Sequence, residues 1–144
     1  MADRITSDQR SRIMARIKGG NTKPELAVRS ALFRAGFRFR LHKKGLPGRP
    51  DIVLPRYRWA VLVHGCFWHG HDCPRGRLPT SNVAFWSKKI AGNAERDQRN
   101  IAALRQIGWN VSVLWACKLE ADTTKLIRKL RVLRQLATAK ARRN

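Results

Sequence analysis

The sequence predicts an α/β protein with a mixed central sheet flanked by helices. Two short β-rich runs, 51–54 and 59–64, are joined by the tight connection PRYR, which is typical of a hairpin. A long amphipathic stretch, 84–107, then precedes another β-rich run at 109–115. A helix between two strands is the arrangement of a crossover, so the strands at 59–64 and 109–115 are predicted to run parallel.

Two helices are predicted before the hairpin. Residues 7–17 form a short basic amphipathic segment that ends at a Gly-Gly pair. Thr22 and Glu25 have the T-x-x-E spacing of a capping box, with proline in the first turn, and predict a helix that ends at Gly36. The apolar run expected along this helix comprises Leu26, Ser30, Phe33 and Ala35.

The remaining elements follow from alternation, breakers and helical spacing. Residues 37–41, FRFRL, alternate apolar and basic side chains like a half-exposed strand, and the Gly/Pro-rich stretch 43–50 is a loop. Residues 119–137 form a last amphipathic basic helix, with leucines at 126, 130, 133 and 136 near one face, and a loose basic tail follows.

The charge balance indicates a polyanionic partner. The 144 residues, enough for one domain, contain 31 Lys and Arg against nine Asp and Glu, which gives a formal net charge of +22. Self-repulsion of this size is tolerated best where a polyanion neutralises it, so nucleic acid is the leading partner. An anionic membrane surface and a merely solvated basic surface are the alternatives. With no run of about 18 apolar residues and no apolar signal region, a soluble intracellular protein is expected.

Metal-capable side chains are concentrated in HGCFWHGHDC, residues 64–73. Three cysteines cannot all pair, and in a reducing cytosol thiols remain available for metal. Three thiolates and one imidazole would form a tetrahedral structural zinc site. Buried cysteines without metal are the alternative, and His64 and His69 are both open as replacements for the histidine of the set. The predicted ligands are Cys66, His71, Cys73 and Cys117.

Two acidic residues stand out by position. Asp51 follows a proline and opens an apolar strand, where a carboxylate can hold Mg²⁺ at a rigid place, or can simply be a turn residue. If the hairpin forms, His64 ends the neighbouring strand and suits acid–base chemistry. Asp97 occupies a core-facing position of the long helix, so a compensating cation or protonated histidine is expected. A structural ion pair with arginine and a catalytic role are both open for Asp97.

Aromatic residues lie within and after the His/Cys segment. Phe67 and Trp68 either pack around the zinc or wedge between DNA bases, since apolar side chains of DNA-binding proteins can unstack base steps. Phe85 and Trp86 would add to the same face, and Met14 of the first helix would reach the opposite groove.

The motifs LPGRPDIVL, VHGCFWHGHDC, FWSKKIAGNAERD and GWNVSVLWACKL occur in this order. Over residues 8–120 the sequence therefore resembles the very short patch repair endonucleases of bacteria. The resemblance implies a restriction-endonuclease-like fold with a structural zinc. It also implies Mg²⁺-dependent nicking of one strand of duplex DNA, 5′ to the thymine of a T·G mismatch. A monomer in the bacterial cytoplasm, at the nucleoid, is expected, with mismatch-repair proteins as further partners.

The resemblance also implies residue roles. Asp51 and the backbone of Val63 would hold Mg²⁺, and His69 would be the general base. The other active-site residues are His64, Asp97 and Glu25. The zinc ligands are Cys66, His71, Cys73 and Cys117. The DNA-contacting side chains are Phe67, Trp68 and Trp86 in one groove and Met14 in the other. The domains are a DNA-contacting helix (1–20), the endonuclease domain (21–137) and a basic tail (138–144).

The sequence differs at two points from what the resemblance would lead one to expect, and two other functions stay open. Many nucleases of the wider fold carry an acid-x-Lys pair on the strand after the first aspartate, but here that strand ends Val63-His64, so a histidine substitutes. Better-known members have threonine at position 63, a harmless change if only the backbone carbonyl is used. The alternatives are a non-catalytic, zinc-stabilised DNA- or RNA-binding protein and a nuclease of the same fold with another target. A pure binding protein would need neither Asp51 nor Asp97.

Overall fold

A four-stranded sheet with three long helices forms the part of the chain that the computed structural model describes, residues 22–143. The sheet order is β1-β2-β3-β4. The strands are β1 (Arg40–Leu41), β2 (Ile52–Leu54), β3 (Trp59–His64) and β4 (Asn110–Trp115). The helices are α1 (Lys23–Arg34), α2 (Val83–Gln106) and α3 (Leu119–Arg143). The predicted mixed α/β architecture is confirmed.

Strand pairing brings the functional segments to one edge of the sheet. β2 is antiparallel to β3 through a single turn of 3-10 helix at Pro55–Tyr57, as the short connection predicted. β3 and β4 are parallel, and His64 lies opposite Trp115. Because parallel strands end at the same edge, the His/Cys segment after β3 and Cys117 after β4 start from neighbouring positions.

Helices cover both faces of the sheet, and this explains why all three residues of β2 are buried. On one face, Ile52 and Leu54 pack with residues of α1 and α3 such as Leu32 and Leu126. On the other face, Val53 packs with Leu104 of α2. The sheet is therefore a rigid platform between two apolar layers.

The predicted apolar face of α1 is wrong. Leu26 and Phe33 are 50% and 61% exposed, while the side chains that point inward are those of Glu25, Val28 and Leu32. The sequence contains two stripes at helical spacing, and packing against the sheet selects the one that includes an acid. Thr22 caps the helix as predicted, because its hydroxyl oxygen accepts from the Glu25 N–H at 3.4 Å.

Two element boundaries also differ from the prediction. The strand expected over 37–41 is limited to Arg40–Leu41, because Phe37 instead enters the core. The helix expected over 119–137 continues to Arg143, so residues 138–143 are helical and not a loose tail. Alternating alanines at 137, 139 and 141 favour this extension, since alanine has the highest helix propensity.

Across residues 22–143, no helix combines the length and the apolar character that crossing a membrane requires. The helix predicted over 7–17, with Met14, lies outside the described residues.

Candidate active site

Asp51 lies at the start of β2, held from both sides. The loop before it packs on α2, and a Cβ at Gly48 would lie 2.9 Å from the Asn100 side chain, so glycine is required at its φ of +74°. After the loop, the Val63 N–H donates to Asp51 Oδ2 at 2.7 Å. Residue 63 therefore contacts this carboxylate through its backbone amide. Val63, the donor of this bond, directly precedes His64, the last residue of β3.

Burial destabilises the ionised form of the Asp51 carboxyl group. Burial raises its pKa to about 6, and the negative charge of Glu25 adds to the rise, against lowering by the Val63 hydrogen bond and by His42 and His69. A cation bound nearby would therefore stabilise the ionised carboxylate. The effect of His69 on this pKa also shows that His69 lies within electrostatic range of Asp51.

Glu25 reaches the same region from α1. It is only 4% exposed, and its Oε2 lies 3.2 Å from both Arg29 Nη2 and His42 Nε2. One donor atom each from Glu25, His42 and Asp51 lie within 4.8 Å of one another. The helix acid predicted near the site is therefore beside Asp51, and it is joined by a histidine that the sequence analysis did not select.

A second cluster contains His64, His69 and Asp97, and its His64 directly follows the Val63 that donates to Asp51. The His69 Nδ1 is 2.6 Å from Asp97 Oδ2. Since an ionised carboxylate only accepts, Nδ1 carries the proton and Nε2 is left with a free lone pair. The partner expected for Asp97 in its inward-facing position is thus a histidine, and not an arginine.

The two histidine rings stack, with centroids 3.7 Å apart and an interplanar angle of 2°. His64 is 6% exposed. Burial, and next the charge of His69, lower its pKa to about 4, although Asp97 acts in the opposite direction. His64 is therefore neutral near pH 7. Within the described residues its buried Nδ1 lacks a hydrogen-bond partner, so the site contains one unsatisfied buried nitrogen.

Helix α2 positions the loop that carries His69. The Asn93 side chain donates to the Trp68 carbonyl at 3.1 Å, one helical turn before Asp97. Gly70 has a φ of +64°, and a Cβ there would lie 3.0 Å from Ile90. The loop packs flat on α2 because glycine occupies this position, and this places His69 against Asp97.

The predicted zinc ligands come together. One donor atom from each member of the cluster lies within 4.8 Å of the others, and all three cysteines are free thiols. Desolvation by burial, and next the neighbouring thiols of Cys66 and Cys73, raise the pKa of the Cys117 thiol to about 11. Three sulfurs and one imidazole are a donor set of the tetrahedral zinc type. The cluster comprises Cys66, His71, Cys73 and Cys117.

Trp115 connects this cluster to the histidine pair. Its ring stacks on His71 at 4.0 Å between centroids and meets the edge of His64 at 5.2 Å. Trp115 therefore contacts both the Cys/His cluster and the histidine pair.

The four predicted aromatic residues form one cluster beside the loop. Trp86 is at its centre, with centroids 5.4 Å from Phe67, 6.0 Å from Trp68 and 5.1 Å from Phe85. Trp86 is 4% exposed, whereas Phe85 is 58% exposed, and Phe67 and Trp68 are half-buried. The buried Trp86 ring therefore packs against the other three rings. Its predicted contact with DNA remains a prediction, as do those of Phe67 and Trp68.

Comparison with known proteins identifies the family. Residues 2–75 match the family model described as DNA mismatch endonuclease Vsr. The chain is 51% identical over 131 residues to the type II nicking enzyme V.XorIIP of Xanthomonas oryzae, covering 91% of this chain and 96% of that protein. It is 41% identical over 119 residues to the DNA mismatch endonuclease Vsr of Escherichia coli, covering 83% and 76%. The chain belongs to the Vsr family.

Membership of the Vsr family settles the class of activity. The protein is an endonuclease, and hence a hydrolase that acts on DNA phosphodiester bonds. The resemblance inferred from the four sequence motifs is confirmed. The alternative of a non-catalytic binding protein is excluded by the same finding.

Sequence reasoning missed two residues of this Vsr-family site. His42 was the only histidine outside the HGCFWHGHDC segment, and its position directly after a basic strand gave no sign of a partner. Trp115 was assigned to a strand, and only the parallel pairing with His64 reveals its contact. The parallel pairing of β3 and β4 was itself predictable, so the contact of Trp115 with His64 was easier to predict than the role of His42.

Proposed function

We propose that this Vsr-family protein is a Mg²⁺-dependent endonuclease that nicks one strand of duplex DNA 5′ to the thymine of a T·G mismatch. The observation that carries the proposal is the placement of Asp51 beside the His64–His69–Asp97 cluster at one edge of the sheet. One cluster offers oxygen ligands for a hard cation, and the other offers a base with a free nitrogen.

The residues around Asp51 fit a magnesium ion. Burial raises the pKa of the Asp51 carboxyl to about 6, so a bound cation would stabilise its ionised form, and Glu25 supplies a second acidic oxygen nearby. Asp51 and the backbone at Val63 would hold the ion. When bound, Mg²⁺ polarises the scissile phosphate and stabilises the charge on the leaving oxygen.

His69 is suited to take a proton from the attacking water. Asp97 fixes the tautomer, because the short Nδ1 contact leaves Nε2 as the acceptor. Asp97 also stabilises the positive charge that His69 acquires. Neutral His64, stacked on the same ring, does not oppose that charge.

The Cys/His cluster is proposed to bind zinc as a structural ion. Its four donors match a closed Cys₃His site, which leaves no position for a substrate. Through Trp115 this site would fix His64, and through residues 66–73 it would hold the loop that carries His69. Zinc therefore supports the active site without taking part in the reaction.

Selectivity is proposed to come from the aromatic cluster, and affinity from the basic surface. Half-buried rings at Phe67 and Trp68 can enter a base step whose stacking is already weak, and a wobble pair is easier to open than a matched pair. The net charge of +22 supplies phosphate contacts along the duplex. A single copy of the protein is proposed to act on one strand.

The proposal is tested by nicking of end-labelled duplexes that contain T·G, another mismatch or T·A at one position. With Mg²⁺ we expect a single nick 5′ to the thymine of T·G and no cut in excess chelator. Because unstacking a matched step costs a few kcal/mol more, T·A should react roughly a hundredfold more slowly. Equal nicking of matched and mismatched DNA, or a preference for another mismatch, would indicate a nuclease of the same fold with a different target.

A further inference from the structure

We propose that the His42 imidazole is a ligand of the catalytic cation together with Glu25 and Asp51. We further propose that this nitrogen makes the site select a first-row transition dication, such as Mn²⁺, over Mg²⁺. The inference rests on the proposed function, since it requires that Asp51 holds a divalent cation.

The backbone fixes His42 beside Asp51. The His42 N–H donates to the Asp51 carbonyl at 3.2 Å, which places the two residues opposite each other at the end of the β1–β2 pair. His42 also has a φ of +44°, in the left-handed region that few side chains adopt. The chain thus turns sharply at this residue while its side chain lies in the acidic cluster.

The spacing of the donor atoms resembles that around a metal ion. His42 Nε2 and Glu25 Oε2 are 3.2 Å apart. Adjacent ligands of an octahedral ion with bonds of about 2.1 Å are separated by about 3.0 Å. With one Asp51 oxygen also within 4.8 Å of both atoms, small side-chain movements would bring all three donors onto one ion.

The charges around the cluster leave room for a dication. Arg29 Nη2 lies 3.2 Å from the Glu25 carboxylate and compensates one negative charge, so the Asp51 charge remains. His42 is 32% exposed at its side chain, whereas Glu25 is 5% exposed. The site is therefore anchored on the protein side and open on the His42 side, where water and a DNA phosphate can complete the coordination.

The chemistry of the donor set determines which ion is favoured. Magnesium prefers oxygen ligands and retains its water, whereas imidazole suits the ions of the first transition row. Without a cation, His42 Nε2 carries the proton that Glu25 accepts. Binding of a dication would displace this proton, and the tautomer with its proton on Nδ1 would then present Nε2 to the ion. A site of two carboxylates and one imidazole should therefore bind Mn²⁺ more tightly than a site of carboxylates alone.

The test is Mn²⁺ binding to the full-length, zinc-loaded protein, followed by electron paramagnetic resonance. Zinc loading occupies the cysteine site. We expect Mn²⁺ to bind about tenfold more tightly than Mg²⁺ in competition, and pulsed spectra to show ¹⁴N coupling from a directly bound imidazole. His42→Asn should remove this coupling and weaken Mn²⁺ binding about tenfold, with little change for Mg²⁺. Asparagine also tolerates the left-handed backbone, so the fold is preserved.

Two variants separate the possible outcomes. Lys43→Gln, at the neighbouring exposed position, should retain the coupling and the affinity. Asp51→Asn should abolish binding at this site, and unchanged Mn²⁺ binding would overturn both the cation site and the role of His42. Binding that requires Asp51 but shows no ¹⁴N coupling, or coupling that survives His42→Asn, would overturn the role of His42 alone.

Discussion

The Asp51→Asn variant is expected to bind a T·G duplex normally and to nick it roughly a thousandfold more slowly. The cation contributes several kcal/mol of transition-state stabilisation, and each 1.4 kcal/mol corresponds to about tenfold in rate. Asparagine can still accept the Val63 N–H, so the hydrogen bond of 2.7 Å that fixes this loop is kept. Single-turnover nicking and a binding titration on the same duplex measure the two effects separately.

A charge-matched control is needed because loss of an acid also strengthens DNA binding. Glu95→Gln removes one negative charge from an exposed position of α2, two residues before Asp97. It should nick at the wild-type rate. If Asp51→Asn also retained the wild-type rate, Asp51 would have no part in the chemistry.

Cys117→Ser is expected to lose bound zinc and stability together. Serine removes one of four donors, and the remaining thiols and imidazole then lie close together without their ion. We expect a loss of about 3 kcal/mol in the free energy of unfolding, or roughly 10 °C in Tm for a chain of this size. Metal analysis of the purified protein and thermal unfolding measure both quantities. Nicking should also fall, because Trp115 couples His71 to His64.

Lys118→Ser is the matched control for this variant. It introduces the same residue at the next position, where the side chain is exposed, and it should leave zinc content and Tm unchanged. Suppose that the purified wild-type protein contained no metal and that Cys117→Ser kept the wild-type Tm. The thiols would then be partly buried cysteines that bind no metal.

The parts of the fold that sequence predicted well are those with local signals. The hairpin followed from two β-rich runs and a short connection, and the long α2 from its helical spacing between breakers. The parallel β3–β4 pair followed from the crossover rule. This register explains why Cys117 meets Cys66 and Cys73 across 44 residues or more of sequence. Asp97 was conspicuous because an acid on an inward face needs a partner, and His69 is that partner.

What sequence did not predict depends on packing between elements. The α1 helix has two stripes at helical spacing, and the stripe containing Glu25 is buried because His42 and Arg29 meet its carboxylate. His42 had no local signal, since its contact with Glu25 spans 17 positions and depends on how the end of β1 turns. Likewise, no pattern indicated that Trp86 is the buried centre of the aromatic cluster while its neighbour Phe85 is exposed.

The central claim is that Asp51 and the His69–Asp97 pair act on one phosphodiester as a single catalytic unit. The most direct test compares single-turnover nicking by Asp51→Asn, His69→Gln and the double variant, with enzyme in excess over T·G duplex. Residues that act as a unit give strongly non-additive losses, so the double variant should be no slower than the slower single variant. Losses that multiply, or a His69→Gln protein as fast as wild type, would contradict the claim.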